Sequence, residues 1–235
     1  MRLIVVFFVF GFSINLFAKD SVDSTLYKYA IKAPGNIDLH SLVKYLKSPV
    51  KTQNQTVEIF FYWIGQHISY DYDLLVKSNK TEKDVCADSV YKKRKSICDG
   101  YCNLFCAMCN DANIECININ GIGQNYTDND VDTTNHAWNA VKLNEQWKLI
   151  DVTWCLNKAT GEIDARYLFG DPQFFLIDHF PEDSKWQLTS TPITKAQFFS
   201  KTWDEKRFRK FNNLLDDKDY QNYLDIVKAN GWDKN

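Results

Sequence analysis

The sequence predicts an α+β fold, with helical segments packed on an antiparallel sheet, and three observations predict it. Residues 98–109 carry a helical stripe, residues 136–143 and 146–153 read as two strands joined by Asn144-Glu145, and residues 22–47 and about 55–67 upstream of Cys98 read as further helices. Taking the stripe first, the apolar positions after Cys98 are Cys102, Phe105, Cys106 and Cys109, spaced as one face of an amphipathic helix that Cys98 begins. A thiol in the first turn of a helix meets unpaired backbone N–H groups and the positive end of the helix dipole. Both favour a thiolate and offer donors to an oxyanion.

The strand pair supplies the other two chemical groups. With a two-residue turn at Asn144-Glu145, Leu143 faces Gln146 and Trp138 faces Asp151, which makes His136 the diagonal neighbour of Asp151 on one face. Diagonal neighbours lie roughly 7–8 Å apart, a gap that an imidazole and a carboxylate close with one hydrogen bond. That face also carries Trp138, Ala140, Trp147 and Leu149 and is expected to pack on the Cys98 helix. The opposite face, with Asn139, Gln146 and Lys148, is expected to be only partly covered. Cys98, His136 and Asp151 together form a nucleophile, a base and a group that orients the base, which is the set that acyl transfer from amides requires.

Upstream, residues 22–47 read as two short helices separated by Pro34-Gly35-Asn36, and a helix around residues 55–67 carries the stripe Phe60, Trp63, Ile64 and His67. Asn110-Asp111-Ala112-Asn113 ends the Cys98 helix, residues 114–119 read as a strand, and the polar residues 124–135 read as a surface loop leading to His136. From about residue 192 the composition turns to alternating charges and aromatics, which fit helices at about 194–200, 204–215 and 219–229.

Within the motifs Phe61-Tyr62-Trp63-Ile64, Ile68-Ser69-Tyr70-Asp71, Cys98-Asp99-Gly100-Tyr101, His136-Ala137-Trp138-Asn139 and Asp151-Val152-Thr153-Trp154, the chain resembles the transglutaminase-like superfamily and its kyphoscoliosis-peptidase-like branch. The stretches 174–183 and 186–188 extend the likeness, which runs from about residue 40 to about residue 190. The resemblance implies a papain-like core with Cys98 as nucleophile, His136 as base and Asp151 as the orienting carboxylate. It also makes Trp63 a candidate oxyanion donor through its indole N–H; the competing reading is a core aromatic.

The chain has 235 residues, a net charge of −2 and 45% hydrophobic residues, enough for one ordinary domain with a small appendage. Arg2 followed by the apolar run 3–12 and by Leu16-Phe17-Ala18 has the layout of a secretory signal peptide over residues 1–18. That layout implies a transglutaminase-like domain at 19–191, a helical extension at 192–235, and a secreted, periplasmic or cell-surface location. The run is too short for a retained membrane span. Interleaved acidic and basic residues in the extension speak against nucleic acid as a partner.

Seven cysteines leave at least one thiol unpaired. Cys102, Cys106 and Cys109 read as core packing, while Cys86, Cys116 and Cys155 come from separate segments and are the better candidates for bridging. No histidine pair has ligand spacing, so neither a metal nor another cofactor is expected, and His40, His67 and His179 read as surface or core residues. The functional expectation is an exported thiol enzyme acting on protein or peptide amides, with hydrolysis favoured over cross-linking. A non-catalytic binding module on the same fold is the alternative.

Overall fold

The structure is a computed structural model that describes residues 22–124, 132–156 and 161–211. The expected signal peptide, most of the loop at 124–135, the end of the 204–215 helix and the whole of the 219–229 helix lie outside the described residues.

The N-terminal part is helical. α1 (Ser24–Ala30) and α2 (Leu39–Lys47) are capped by Asp23 and Asp38, whose carboxylates accept first-turn N–H bonds, and α3 (Gln53–His67) is capped by Thr52. α3 buries Val57, Phe60, Phe61, Trp63 and Ile64, so it is a central helix with little free surface. Next come β1 (Ser69–Tyr70), α4 (Tyr72–Val76), α5 (Glu82–Val85), α6 (Ala87–Lys93) and β2 (Lys95–Ser96). β1 and β2 pair in parallel, with Tyr70 opposite Ser96. That small pairing fixes the backbone just before α7 (Cys98–Asp111), which packs on α3, α6 and the main sheet.

The main sheet is built from β3 (Cys116–Gly123), β4 (His136–Leu143), β5 (Gln146–Ile150), β6 (Leu168–Gly170) and β7 (His179–Pro181), in the order β6-β5-β4-β3-β7, antiparallel throughout. α8 (Pro172–Phe175) links β6 to β7, and α9 (Lys195–Phe198) and α10 (Lys201–Phe211) follow. Helices gathered before an antiparallel sheet make this the expected α+β architecture. The described part of the C-terminal segment is docked on the sheet: Phe198 is fully buried with its ring 5.3 Å from that of Phe180 in β7, and Arg207 bonds the Phe198 carbonyl.

The hairpin register is as expected. Asn144 and Glu145 both have positive φ, 49° and 62°, which makes a type I′ turn, and Leu143 pairs with Gln146 and Asn139 with Ile150. Three expectations need correction. β5 ends at Ile150 rather than at residue 153, because the Asp151 carboxylate folds the chain back by accepting the N–H groups of Thr153 and Trp154. The β4 face that meets α7 carries Ala137 and Asn139, not Trp138 and Ala140. Ala137 packs with Cys98 and Cys102, and Asn139 reaches the Cys102 carbonyl, so both faces of β4 are covered. The helix expected at 204–215 starts earlier: the Ser200 carbonyl accepts from Trp203 and Asp204 and opens α10 at Lys201.

Candidate active site

The site is assembled where α7 begins and β4 begins. Ile97 is the N-cap of α7 and has no side chain that can accept a hydrogen bond, so the first-turn N–H groups around Cys98 lack a capping acceptor. Gly100 is required for this approach: a Cβ there would stand 1.9 Å from Ser96 Oγ and 2.8 Å from Val90 Cγ2. Gly123 serves His136 in the same way, since a Cβ on Gly123 would lie 2.8 Å from the imidazole ring.

His136 Nε2 donates to Asp151 Oδ2 at 2.8 Å, with His136 7% exposed and Asp151 fully buried. Burial by itself pushes the imidazole pKa down. The charge and hydrogen bond of Asp151, reinforced by a hydrogen bond and charge from Cys98, carry it up to about 10. Burial would likewise push the Asp151 carboxyl up, but the charges and hydrogen bonds of His136 and His179 hold it well below the usual carboxylate range. Since Nε2 is committed to Asp151, Nδ1 is the ring nitrogen left for the Cys98 sulfur. Trp154 stacks on the same imidazole with ring centroids 4.8 Å apart.

Asp151 is saturated. Its Oδ1 accepts the N–H groups of Thr153 (2.7 Å) and Trp154 (3.0 Å), and its Oδ2 accepts from His136 and from His179 Nε2 (3.0 Å). His179 Nδ1 in turn meets Asp178 Oδ1, and Tyr167 donates to Asp178 Oδ2 at 3.0 Å. Sequence spacing left His179 unassigned, because it comes from β7, a strand that pairs with β3 on the other side of β4. The detectable signal was Asp178-His179 itself, inside one of the stretches that carry the family resemblance. One ligand-type atom each from His136, Asp151 and His179 lie within 4.8 Å of one another. In this structure those atoms are hydrogen-bonded to one another, both Nε2 atoms donating to Oδ2.

Trp63 stacks on His67 at 4.8 Å, sits under the Arg94 guanidinium and is almost wholly buried; these described contacts are those of a core aromatic. Tyr70, by contrast, lies close enough to Cys98 that, after burial, the sulfur's charge is the next cause raising its phenol pKa. Its hydroxyl therefore keeps its proton beside the thiol.

The cysteines divide differently from expectation. Cys106 and Cys116 form a disulfide, which corrects the core reading of Cys106: together with Asn103 it lies on the flank of α7 that faces β3, where Asn118 bonds Asn103 at 2.6 Å. Cys86 is free and exposed, and Cys155 is free and buried, its thiol directed at the Val152 carbonyl. Burial pushes the thiols of Cys102, Cys109 and Cys155 up, which leaves them protonated and inert.

A buried His–Asp pair on an antiparallel sheet, facing a cysteine at a helix start, defines a transglutaminase-like or papain-like domain. A model of the transglutaminase-like superfamily matches residues 40–152. Among curated proteins it is similar to kyphoscoliosis peptidase from Homo sapiens (29% identity over 195 residues, 77% of this chain and 29% of that protein). It is likewise similar to the Mus musculus counterpart (28% over 210 residues, 83% and 30%). The chain thus spans about three-tenths of the length of these relatives. A solved TGase structure aligns in part, with a TM-score of 0.39 and 16% identity over 66% of this chain and 38% of that one.

Proposed function

We propose that this chain is an exported cysteine enzyme that attacks protein or peptide amides through Cys98, His136 and Asp151. The observation that carries the reading is the buried His136 imidazole, bonded through Nε2 to the buried Asp151 carboxylate and close enough to Cys98 for the sulfur to help raise its pKa. His136 takes the thiol proton and Asp151 keeps the resulting imidazolium oriented and neutralised. The Cys98 sulfur then adds to the amide carbonyl, the developing oxyanion meets the uncapped first-turn N–H groups of α7, and His136 returns its proton to the leaving amine. A thioester remains on Cys98. Water releases an acid from it and an amine gives a cross-link; water is the commoner acceptor, so hydrolysis is favoured.

The Cys106–Cys116 bond fits the oxidising compartment that the N-terminal apolar run implies. Among the described residues no helix is long and apolar enough to cross a membrane. Two of the curated proteins to which the chain is similar are named as a peptidase, which agrees with hydrolysis. A second reading, a binding module, draws on α4, where Tyr72, Leu75 and Val76 are 59%, 43% and 81% exposed and offer an apolar surface to a protein partner.

The test compares the chain with its Cys98→Ala variant by proteome-wide profiling of cleaved and cross-linked peptides. New peptide termini made only by the unaltered chain support the hydrolase. Cross-links alone transfer the assignment to transamidation, and identical profiles favour the binding module.

A further inference from the structure

We propose that His179, held by Asp178 and Tyr167, is a positioning residue that locks Asp151 in place for His136; this rests on the Cys98–His136–Asp151 reading above.

A triad carboxylate needs one imidazole, yet Asp151 Oδ2 accepts from two, at 2.8 Å and 3.0 Å. Because Oδ2 is an acceptor in both contacts, each Nε2 carries a hydrogen. The other ring nitrogen of His179, Nδ1, meets Asp178 Oδ1. Tyr167 donates to the other Asp178 oxygen, so a hydrogen-bonded line runs without a gap from Tyr167 through Asp178 and His179 to Asp151.

All four groups are essentially buried, with Asp151 and Asp178 at 0%, His179 at 1% and Tyr167 at 2% exposure. Two carboxylates in such surroundings are unfavourable unless paired, and apolar residues of the same size would pack at least as well, so stability alone does not account for the arrangement. The His179 ring is itself wedged in place, 4.8 Å from Phe175, 4.8 Å from Trp154 and 4.9 Å from Trp138. The backbone carbonyl of Asp178 is tied to the Gln124 N–H at 2.8 Å, and His179 pairs with Gly123, the glycine that makes room for His136.

Two consequences follow for the working pair. With Oδ1 held by two backbone N–H groups and Oδ2 by two imidazoles, every acceptor position of Asp151 is used and the carboxylate has no alternative rotation. The second donor also draws electron density from Oδ2. Asp151 then remains an anion that orients His136 without taking its proton, and Nδ1 stays aimed at Cys98.

The experiment measures iodoacetamide alkylation of Cys98 in the full chain against pH, by peptide mass spectrometry, with the exposed Cys86 as the ordinary thiol in the same sample. His179→Phe fills the space without a donor, whereas His179→Gln keeps an N–H near the Nε2 position. Near-UV circular dichroism reports folding. The expected result is that His179→Phe slows Cys98 alkylation at pH 6 by roughly tenfold or more and moves its profile toward that of Cys86, and that His179→Gln restores most of the rate. If His179→Phe does not fold, Asp178→Asn provides the comparison, with a loss in the same direction expected.

A folded His179→Phe or Asp178→Asn chain with the unaltered Cys98 profile overturns the inference. So does a folded His179→Gln that is no better than His179→Phe. If Cys98 of the unaltered chain already alkylates like Cys86, the triad reading fails and this inference falls with it; the two failures are thus distinguishable.

Discussion

The indole of Trp154 lies over the imidazole of His136, with ring centroids 4.8 Å apart and planes 23° from parallel. The turn that places Trp154 there is the one in which its own N–H bonds the Asp151 carboxylate. A single acidic side chain thus folds back the chain after β5, brings an aromatic cover over the His136 ring, and hydrogen-bonds that same ring. Water is kept from the His136–Asp151 bond on the side the indole covers, which strengthens the bond's electrostatic contribution.

Asp151→Asn is the substitution that separates chemistry from scaffold. The amide retains the acceptor for the Thr153 and Trp154 N–H groups, so the turn persists, but it lets the ring adopt the wrong tautomer and cannot neutralise an imidazolium. Thioester formation is expected to fall by roughly 10⁴-fold, as for the equivalent change in a serine triad, while binding of a protein partner through α4 is unchanged. Single-turnover acylation of Cys98 measures the first and equilibrium binding the second. Acylation at the unaltered rate would remove Asp151 from the mechanism.

The same pair makes stability depend on pH, with a definite sign. His136 has a folded pKa above its ordinary 6.5, so its contribution is complete below about 6.5 and is lost as pH rises through about 10. Asp151 has a folded pKa below its ordinary 3.8, so its contribution is complete above that value and is lost as pH falls below it. The expected window of full stabilisation therefore runs from about pH 4 to about pH 6.5. Asp151→Ala, which strips both imidazoles of their acceptor, is expected to cost about 3–5 kcal/mol inside that window and less on either side. Urea unfolding at a series of pH values checks this, and a cost that does not vary with pH would contradict the assignment.

The cysteines of α7 are expected to behave in two ways. Cys102→Ala and Cys109→Ala remove small buried groups and should lower stability by about 1–2 kcal/mol whether or not a reductant is present. Cys106→Ser should cost roughly 2–3 kcal/mol under oxidising conditions, because it opens the short loop closed by Cys116, and nearly nothing once dithiothreitol has reduced the unaltered chain. Denaturant midpoints with and without reductant distinguish the two classes. An equal response of all three to dithiothreitol would refute the division.

Sequence by itself determined what is local. The helix start at Cys98, the two-residue turn at Asn144-Glu145 and the hairpin register depend on neighbours within a few positions, through periodicity and turn chemistry, and they suffice to bring His136 and Asp151 onto one face. The motifs that carry the family resemblance extended this α+β pattern to a papain-like core. Tertiary structure decided what depends on distant segments packing together. The face of β4 that receives α7 could not be read, because both faces of a buried strand are apolar and alternation loses its sign. The pairing of Cys106 with Cys116 depended on which flank of α7 lies against β3. The meeting of His179 with Asp151 depended on β7 crossing to the far edge of β3, and an imidazole joins a buried site only when a strand remote in sequence delivers it there.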